Sequence, residues 1–213
     1  EVKSGTVKAE LTLMQRVFKT AIKEWGYGIL LNPVANIELP KSAKPRTRRL
    51  VSNELSVLIS YAEKQGNKYI STIIQFAVET GMRRSEIIKL TWNDVNLDTG
   101  IASLYDTKNG DDRHIPLTKT AIQLLSNLTQ SSEFVFPISA NCLRLAWERC
   151  RNKSNIKGLR FHDLRHEAVS RFFEMGLSVP EVALISGHKD VRQLFRYTHL
   201  KPENLIAKYS NIF

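Results

Sequence analysis

Residues 95–117 read VNLDTGIASLYDTKNGDDRHIPL and decide the fold class of the chain. Two apolar and β-branched runs, Val95–Leu97 and Ile101–Tyr105, flank a turn at Asp98-Thr99-Gly100, and a third, His114–Leu117, follows a polar loop. Runs of this kind between Gly, Asn and Asp residues predict strands joined by tight turns. We therefore expect a small three-stranded antiparallel sheet.

Helical patterns occupy the sequence on both sides of this β region. Apolar residues return there every three or four positions, which is typical of helices that pack on a core. We expect helices from Ser52, the predicted N-cap, to about Ala62 and over 68–79, 83–91, 118–128, 139–152, 162–175, 179–186, 191–197 and 203–209. The predicted fold class is mainly α with a small three-stranded antiparallel β-sheet (α+β).

The first 50 residues are predicted to belong to a different part of the molecule. Residues 6–25 carry an apolar stripe at helical spacing, from Val7 to Trp25, which one helix cannot bury on its own. Residues 1–39 are therefore interpreted as the C-terminal remnant of a helical domain that lies mostly upstream of Glu1. Residues 40–50 are a predicted basic linker, and 51–213 a second domain that ends in a tail helix.

The charge balance indicates a polyanionic partner. The chain carries 31 Lys and Arg against 21 Asp and Glu, a net charge of +10 and an isoelectric point near 9.7. Such an excess favours phosphate-rich ligands, because neutralising phosphates releases condensed counterions. Much of this charge lies in the predicted linker, which could contact DNA. The alternative is that the linker is basic only because it is exposed to solvent. Its basic residues are Lys41, Lys44, Arg46, Arg48 and Arg49.

The apolar runs and the cysteines argue against a membrane-spanning protein and against a disulfide-bonded one. No stretch of about 18 apolar residues occurs, so a membrane span is not expected. Cys142 and Cys150 fall in one predicted helix at roughly 12 Å along its axis, too far apart for a disulfide. Reduced thiols of this kind are typical of a cytoplasmic protein.

Two segments before and within the sheet carry candidate chemistry. TGMRRSE at 80–86 places Arg83 just after a glycine turn, at the start of a predicted helix. TKNG at 107–110 puts Lys108 on the loop between the last two strands. Each pattern is common by itself, so neither identifies a site alone.

Two further segments follow in the C-terminal half. HDLRH at 162–166 sets His162 and Arg165 three positions apart, so that both side chains share one helix face. A Gly-His pair then places His188 shortly before Tyr197 in the segment RYTH. The chain thus presents Arg, Lys, His-x-x-Arg, Gly-His and Tyr in this order.

This ordered set resembles the signature of the tyrosine recombinases, the phage-integrase family of site-specific recombinases. The resemblance covers about residues 50–200 and implies the catalytic-domain fold of that family, preceded by a helical core-binding (SAM-like) domain. It also implies cleavage and rejoining of DNA through a 3′-phosphotyrosyl intermediate with a free 5′-hydroxyl. No metal, ATP or other cofactor is implied, because one phosphoester replaces another.

The resemblance assigns a role to each residue of the set. Arg83 and Arg165 would stabilise the nonbridging oxygens of the scissile phosphate, since guanidiniums stay charged and offer forked donors. His188 would be a further donor, and Tyr197 the nucleophile.

The remaining two roles concern protons. His162 would accept the proton of the nucleophile or orient the phosphate. Lys108 would protonate the leaving 5′-oxygen.

The same resemblance implies double-stranded DNA as partner and a homotetramer on synapsed sites, with a monomer possible without DNA. The tail could dock on its own domain or on a neighbouring protomer. A bacterial or phage-encoded cytoplasmic protein associated with the nucleoid, and serving a mobile element, is expected. Further DNA contacts are expected near the helix at 139–152, and a solvated basic face is the alternative. The candidates are Arg144, Arg149, Arg151 and Lys153.

Three other interpretations fit parts of the pattern. His162 and His166 are spaced like the zinc ligands of a peptidase, but position 163 is Asp rather than the required Glu, and Arg165 would put a cation beside the metal. A DNA-binding protein without catalysis could use the same basic surface. A type IB topoisomerase shares the chemistry, although the compact spacing of the motifs favours a recombinase.

Ordinary structural roles are the alternative for each residue of the set: a surface ion pair, a solvated turn, a helix cap or a packed ring. Their occurrence together favours the catalytic interpretation. Three neighbours are assigned structural roles instead. Glu86 is expected to orient an arginine or cap a helix, His166 to be a buried hydrogen-bonding histidine, and Arg84 to point away from Arg83.

Overall fold

The computed structural model describes residues 2–41, 46, 48–105 and 112–198. The chain divides into two compact units, Glu1–Thr47 and Arg48–Phe213. Lys44, Lys108 and the predicted tail helix at 203–209 lie outside the described residues. Within the described part, no helix is long and apolar enough to span a membrane.

The first unit is built on one helix, α1 (Ser4–Lys23), close to the predicted range of 6–25. Gln15 ties α1 to the segment that follows it. Its side-chain Nε2 donates to the backbone carbonyl of Val34 at 3.0 Å. Its backbone carbonyl accepts from Asn32 Nδ2 at 3.1 Å. Ala21 is the one residue of α1 that is buried, so most of the apolar stripe of this helix is not buried.

The second unit holds the remaining elements that the structure describes. Its helices are α2 (Glu54–Glu63), α3 (Tyr69–Thr80), α4 (Arg84–Lys89), α5 (Lys119–Ser126), α6 (Ala140–Lys153), α7 (Asp163–Glu174) and α8 (Val179–Ser186). Its strands are β1 (Val95–Asn96), β2 (Ile101–Leu104) and β3 (Arg113–Pro116). Short 3-10 turns lie at Trp92–Asp94, Val191–Gln193 and Phe195–Tyr197. The predicted mainly helical α+β class is confirmed.

Helix α3 lies at the centre of the second unit because it is apolar on most of its surface. It packs against α2, α5, α6 and α7, and the Phe76 ring lies 5.6 Å from the Phe136 ring, centroid to centroid. A helix surrounded by others needs apolar residues on more than one face. Its buried residues are Ile70, Ile73, Ile74, Phe76, Ala77, Val78 and Thr80.

The sheet confirms the three predicted antiparallel strands, in the order β1-β2-β3. Ala102 at its centre pairs with Val95 on one side and Ile115 on the other. Strand β3 begins at Arg113, one residue earlier than predicted, and alternates buried and exposed side chains along its length. It contacts α8 with its buried side, which brings Arg113 to the helices that carry the site.

Two local predictions are wrong. Ser52 is not the N-cap of α2, which begins at Glu54 after Asn53. The Glu54 carboxylate instead accepts the Val51 N–H at 2.9 Å and so holds the preceding turn. The predicted helix at 191–197 is replaced by two 3-10 turns on either side of Leu194, which is fully buried.

Both cysteines lie on α6 as free thiols, as expected from their spacing.

Candidate active site

Arg83 lies at the junction of α3 and α4. Gly81 ends α3 in the left-handed region with φ of 63°, which favours glycine, and Arg83 then adopts an extended conformation before α4 begins. Glu86 accepts from the Arg83 backbone N–H and from Arg83 Nη1, both at 2.7 Å. These contacts agree with the orienting role expected for Glu86.

Glu86 also binds a second arginine, Arg113, which the sequence motifs did not include. Arg113 Nη2 donates to Glu86 Oε2 at 2.8 Å, and Arg113 Nη1 donates to the Ser186 carbonyl at 3.1 Å. Burial acts to raise the pKa of Glu86, yet the charges of Arg113 and Arg83 and the Arg83 hydrogen bonds lower it below its usual value. The carboxylate is therefore held ionised between two guanidiniums.

Arg165 on α7 is buried and held by two backbone carbonyls. Its Nη1 donates to the Gly81 carbonyl and its Nη2 to the Ser186 carbonyl, both at 2.6 Å. Burial, with the nearby charge of Arg83, lowers its pKa to about 10, so it stays charged at neutral pH. Because a guanidinium has five N–H groups, others remain available for a ligand.

His188 follows Gly187, which ends α8 with a positive φ of 67°. The Ser186 hydroxyl donates to the Val182 carbonyl at 2.5 Å and also contacts His188 Nδ1 at 2.6 Å. Since that hydroxyl has one proton, both contacts are hydrogen bonds when His188 Nδ1 donates in the second. In that tautomer the neutral ring of His188 presents Nε2 as an acceptor, and it donates to a phosphate as the imidazolium.

The charge state of His188 depends on its surroundings. Burial, followed by the charges of Arg165 and Arg83, lowers its pKa to about 4. A bound phosphate would supply compensating negative charge and favour the imidazolium. The predicted donor role of His188 thus depends on the ligand being present.

Gly187 lets strand β3 approach this region closely. Its carbonyl accepts from Arg83 Nη2 at 3.3 Å, and a Cβ at this position would lie 2.0 Å from Arg113 Nη1. A side chain at 187 would therefore displace Arg113 as well as strain the backbone.

Tyr197 ends the second of the two 3-10 turns and is buried. Its hydroxyl is hydrogen-bonded to His166 Nδ1, and the two rings stack with centroids 5.6 Å apart. His162 meets the His166 ring edge-on at 5.0 Å. Burial raises the pKa of Tyr197, while Arg196 and Arg165 act to lower it. The α7 face that carries Arg165 thus also adjoins the tyrosine.

A cavity of about 470 Å³ opens beside His162 and Arg165. Its apolar wall includes Trp147 and Phe161, whose rings meet edge-on with centroids 5.4 Å apart. Four further arginines share its lining, and Glu148 is its acidic member. These arginines are Arg84, Arg144, Arg151 and Arg160.

The arrangement suits an anion that is attacked by a tyrosine. Arg83, at the junction of α3 and α4, and Arg165, on α7, donate to the backbone carbonyls of residues 187 and 186, and His188 follows directly. Donors fixed before the reaction stabilise developing negative charge without reorganising. No group of three or more side chains among the described residues has the spacing to hold a metal ion.

Comparison with known proteins gives the family. The model of the phage integrase family matches residues 48–204. The chain belongs to the phage integrase family. It is 40% identical, over 97% of its own length and 54% of the relative's, to a shufflon-specific DNA recombinase of Escherichia coli. A putative integrase/recombinase of Haemophilus influenzae is 36% identical over 89% of this chain and 64% of the relative.

Solved structures of phage integrases share the fold. The catalytic domain of bacteriophage HP1 integrase has a TM-score of 0.62 at 23% identity, covering 76% of this chain and 93% of that one. A lambda integrase dimer bound to a COC′ core site has a TM-score of 0.77 at 22% identity, covering 92% of this chain and 74% of that one. The chain spans about half to two-thirds of the length of the curated phage integrase relatives above.

The site geometry and the family match bear on two of the alternative interpretations. The zinc-peptidase interpretation is not supported, because His166 directs Nδ1 at Tyr197 rather than toward a site shared with His162. The match to phage integrases favours a recombinase over a type IB topoisomerase.

The predicted DNA contacts in and next to the linker lie in different surroundings. Lys41 is exposed and Arg46 half-buried, and both belong to the first unit. Arg48 pairs with Glu54. Arg49 donates to the carboxylates of Glu167, at 3.1 and 3.2 Å, and Glu174.

The predicted contacts on α6 all reach solvent. Arg144 donates to Glu148 at 3.0 Å and to Asn141 at 2.9 Å. Arg149 Nε donates to Gln65 Oε1 at 3.3 Å, and Arg151 Nη2 donates to Asn152 Oδ1 at 3.2 Å. Lys153 is exposed at the end of the helix.

Sequence patterns missed three residues that adjoin the site: Arg113, Ser186 and Arg160. Arg113 and Ser186 act through contacts to residues far away in sequence, which no local motif reveals. Arg160 stands two positions before His162, and this position next to the HDLRH segment was the available signal.

Proposed function

We propose that the second unit is the catalytic domain of a site-specific DNA recombinase or integrase, which cuts and rejoins DNA through Tyr197. The observation that carries this proposal is the convergence of Arg83, Arg165 and His188 on residues 186–187, with Tyr197 hydrogen-bonded to the neighbour of Arg165, His166. We further propose that residues 1–39 are the end of a helical core-binding domain, joined by a linker at 40–50 to the domain at 51–213.

The two arginines would bind the nonbridging oxygens of the scissile phosphate. Both are oriented before DNA arrives, Arg83 by Glu86 and Arg165 by two backbone carbonyls. A fixed donor of this kind contributes about 3–4 kcal/mol to transition-state stabilisation. His188, once protonated beside the phosphate, would add a third donor.

Tyr197 would attack phosphorus through its phenolic oxygen and form a 3′-phosphotyrosyl bond, while the 5′-oxygen leaves as a hydroxyl. Religation reverses the step, so that neither ATP nor a metal is required. The phenol must lose its proton as it attacks. Burial raises the pKa of Tyr197 and opposes that loss, while the charges of Arg196 and Arg165 act in its favour.

Lys108 is proposed as the acid that protonates the leaving 5′-oxygen, on the strength of the family resemblance. The residue lies outside the described part of the chain. The described strand residues on either side of it, Leu104 and Arg113, are paired in the sheet, and Arg113 contacts Glu86.

Double-stranded DNA is the proposed substrate, with its backbone passing along the arginine-lined cavity. Phosphate contacts from Arg and Lys set the position of a protein on a duplex. Arg84 and Arg160 join the α6 candidates there, since they line the same cavity as His162. A protein acting on DNA in this way would lie in the cytoplasm, at the nucleoid of a bacterium or on phage DNA.

A homotetramer on two synapsed sites is the proposed active assembly, with a monomer possible without DNA. One of the similar solved structures is a lambda integrase tetramer bound to a Holliday junction. Whether the residues after Tyr197 dock in cis or in trans is tested by cutting the chain after Pro202. Docking in trans predicts that synapsis weakens more than binding to a single site.

The test of the proposed function is a plasmid assay. Supercoiled plasmid is incubated with the protein in EDTA and quenched with SDS, and wild type is compared with Tyr197→Phe and with Tyr61→Phe as a matched control on α2. Wild type and Tyr61→Phe should relax the plasmid and form protein-linked DNA, while Tyr197→Phe should do neither. Plasmid binding without any adduct in wild type would instead favour a DNA-binding protein without catalysis.

A further inference from the structure

His166 is hydrogen-bonded to the hydroxyl of the proposed nucleophile, yet the roles assigned above do not use it. Its Nδ1 is hydrogen-bonded to the Tyr197 hydroxyl, and its ring stacks on the tyrosine at 5.6 Å. The stacking fixes the plane of the imidazole, and the hydrogen bond fixes which nitrogen faces the phenol. The pair is thus already aligned for proton transfer.

The phenol of Tyr197 can donate to His166 when the imidazole is neutral. Burial, followed by the charge of His162, lowers the pKa of His166 to about 4, so the ring is neutral at pH 7. A neutral imidazole that accepts through Nδ1 carries its proton on Nε2, and the phenol is then the donor. The other charged groups that act on His166 are Asp163, Arg165 and Arg196.

We propose that His166 is the proton acceptor for Tyr197, an inference that rests on the proposed recombinase function. As the Tyr197 Oη–P bond forms, the Oη–H bond breaks and its proton passes to His166 Nδ1. The P–O5′ bond breaks in the same displacement, and the 5′-oxygen takes a proton from the acid of the site. On religation His166 returns its proton to the phenolic oxygen.

DNA binding would switch this acceptor on. Without DNA, burial and the neighbouring cations disfavour a positive charge on the His166 ring. The scissile phosphate brings negative charge to Arg165 and its neighbours and so offsets that penalty. Proton transfer thereby becomes favourable at the moment when the phosphate is in place.

His162 has a different place in the site. It lines the arginine-rich cavity with Arg165 and meets His166 through ring edges. It therefore lies on the cavity along which the DNA backbone is proposed to pass. This position suits the phosphate-orienting role, and it leaves the acceptor role to His166.

The experiment compares adduct formation on supercoiled plasmid by wild type, His166→Gln and His162→Gln over pH 5.5–9. Glutamine can accept the hydrogen bond of the phenol but cannot take its proton. We expect His166→Gln to lose about 100-fold in rate at pH 7 and to become steadily faster as pH rises, because only ionised Tyr197 then reacts. Wild type should lack that steep rise.

A second measurement separates proton transfer from simple support of the tyrosine. A ring-fluorinated tyrosine, whose phenol is more acidic, is placed at position 197 in wild type and in His166→Gln. It should restore about tenfold of the lost rate in the variant and leave wild type little changed. His162→Gln should be slowed without such rescue.

The outcomes are distinct. A wild-type rate and pH profile in His166→Gln, or a slow variant that fluorination does not rescue, overturns the acceptor role while leaving the recombinase function standing. If fluorinated tyrosine rescued His162→Gln but not His166→Gln, the proton acceptor would be His162 instead. An absence of adduct in wild type removes the recombinase function and this inference with it.

Discussion

Arginine is used in two different ways in the two basic regions of this molecule. In the active site, Arg165 and Arg113 are 5% and 6% exposed and donate to backbone carbonyls, and Arg113 also to Glu86. On α6 the arginines reach solvent and pair with polar neighbours near the same helix. The same residue type is therefore fixed in one region and adjustable in the other.

The difference teaches how one domain can combine precise chemistry with tolerant binding. Fixed guanidiniums need no reorganisation when charge develops on a phosphate, which is the condition for strong transition-state stabilisation. Exposed arginines contribute little to stability through their surface ion pairs. They are free to exchange those partners for DNA phosphates, whose exact positions vary with sequence.

Replacement of Arg165 by lysine is expected to have the largest effect. An ammonium keeps the charge, but it cannot reach the Gly81 and Ser186 carbonyls and a phosphate together as the planar fork does. We expect adduct formation to fall by about 100- to 1,000-fold, measured on supercoiled plasmid. Plasmid affinity should change little, and a loss of affinity that matches the loss of rate would contradict the fixed-donor argument.

Replacement of Glu86 by glutamine tests whether this carboxylate holds Arg83 and Arg113 in place. The carboxylate serves Arg83 and Arg113 at once, and an amide offers a single acceptor oxygen without charge. Misplacement of Arg83 should cost up to about 100-fold in rate. Glu148→Gln, which removes the carboxylate partner of Arg144 on α6, is the matched control and should stay near wild-type rate. Equal losses in the two variants would remove the distinction between the regions.

Much of the fold and of the site could be predicted from the sequence because the signals are local. Gly81 before Arg83 and the His-x-x-Arg spacing of His162 and Arg165 are each written within a few residues. The three strands follow from alternation and turn residues. These features need no knowledge of distant contacts.

Other parts depend on contacts between distant segments, which a single sequence does not show. Arg113 looks like an ordinary strand residue until β3 is seen to pack on α8 beside Glu86. His166 was assigned a hydrogen-bonding role, but its partner, Tyr197, lies 31 positions further along the chain. The segment at 191–197 has helical spacing, yet burial of Leu194 accompanies two tight turns instead.

The smallest effects are expected from the exposed arginines. Arg151→Gln and Arg144→Gln should each weaken plasmid binding by a few-fold and leave the cleavage rate of bound DNA unchanged. If each contacts one phosphate, the slope of log affinity against log salt should fall by about one. Binding is measured by fluorescence anisotropy on labelled duplex DNA over a range of salt concentrations.

Arg49 provides the comparison that sharpens this prediction, because it is basic and partly exposed but fixed. Glu167 and Glu174 already occupy its donors, so Arg49→Gln should leave the salt slope unchanged and lower the free energy of unfolding by about 1 kcal/mol. A lower slope for Arg49→Gln would show that DNA can draw even this guanidinium away from two carboxylates. The distinction between fixed and adjustable arginines would then lie in burial rather than in the partners that each side chain holds.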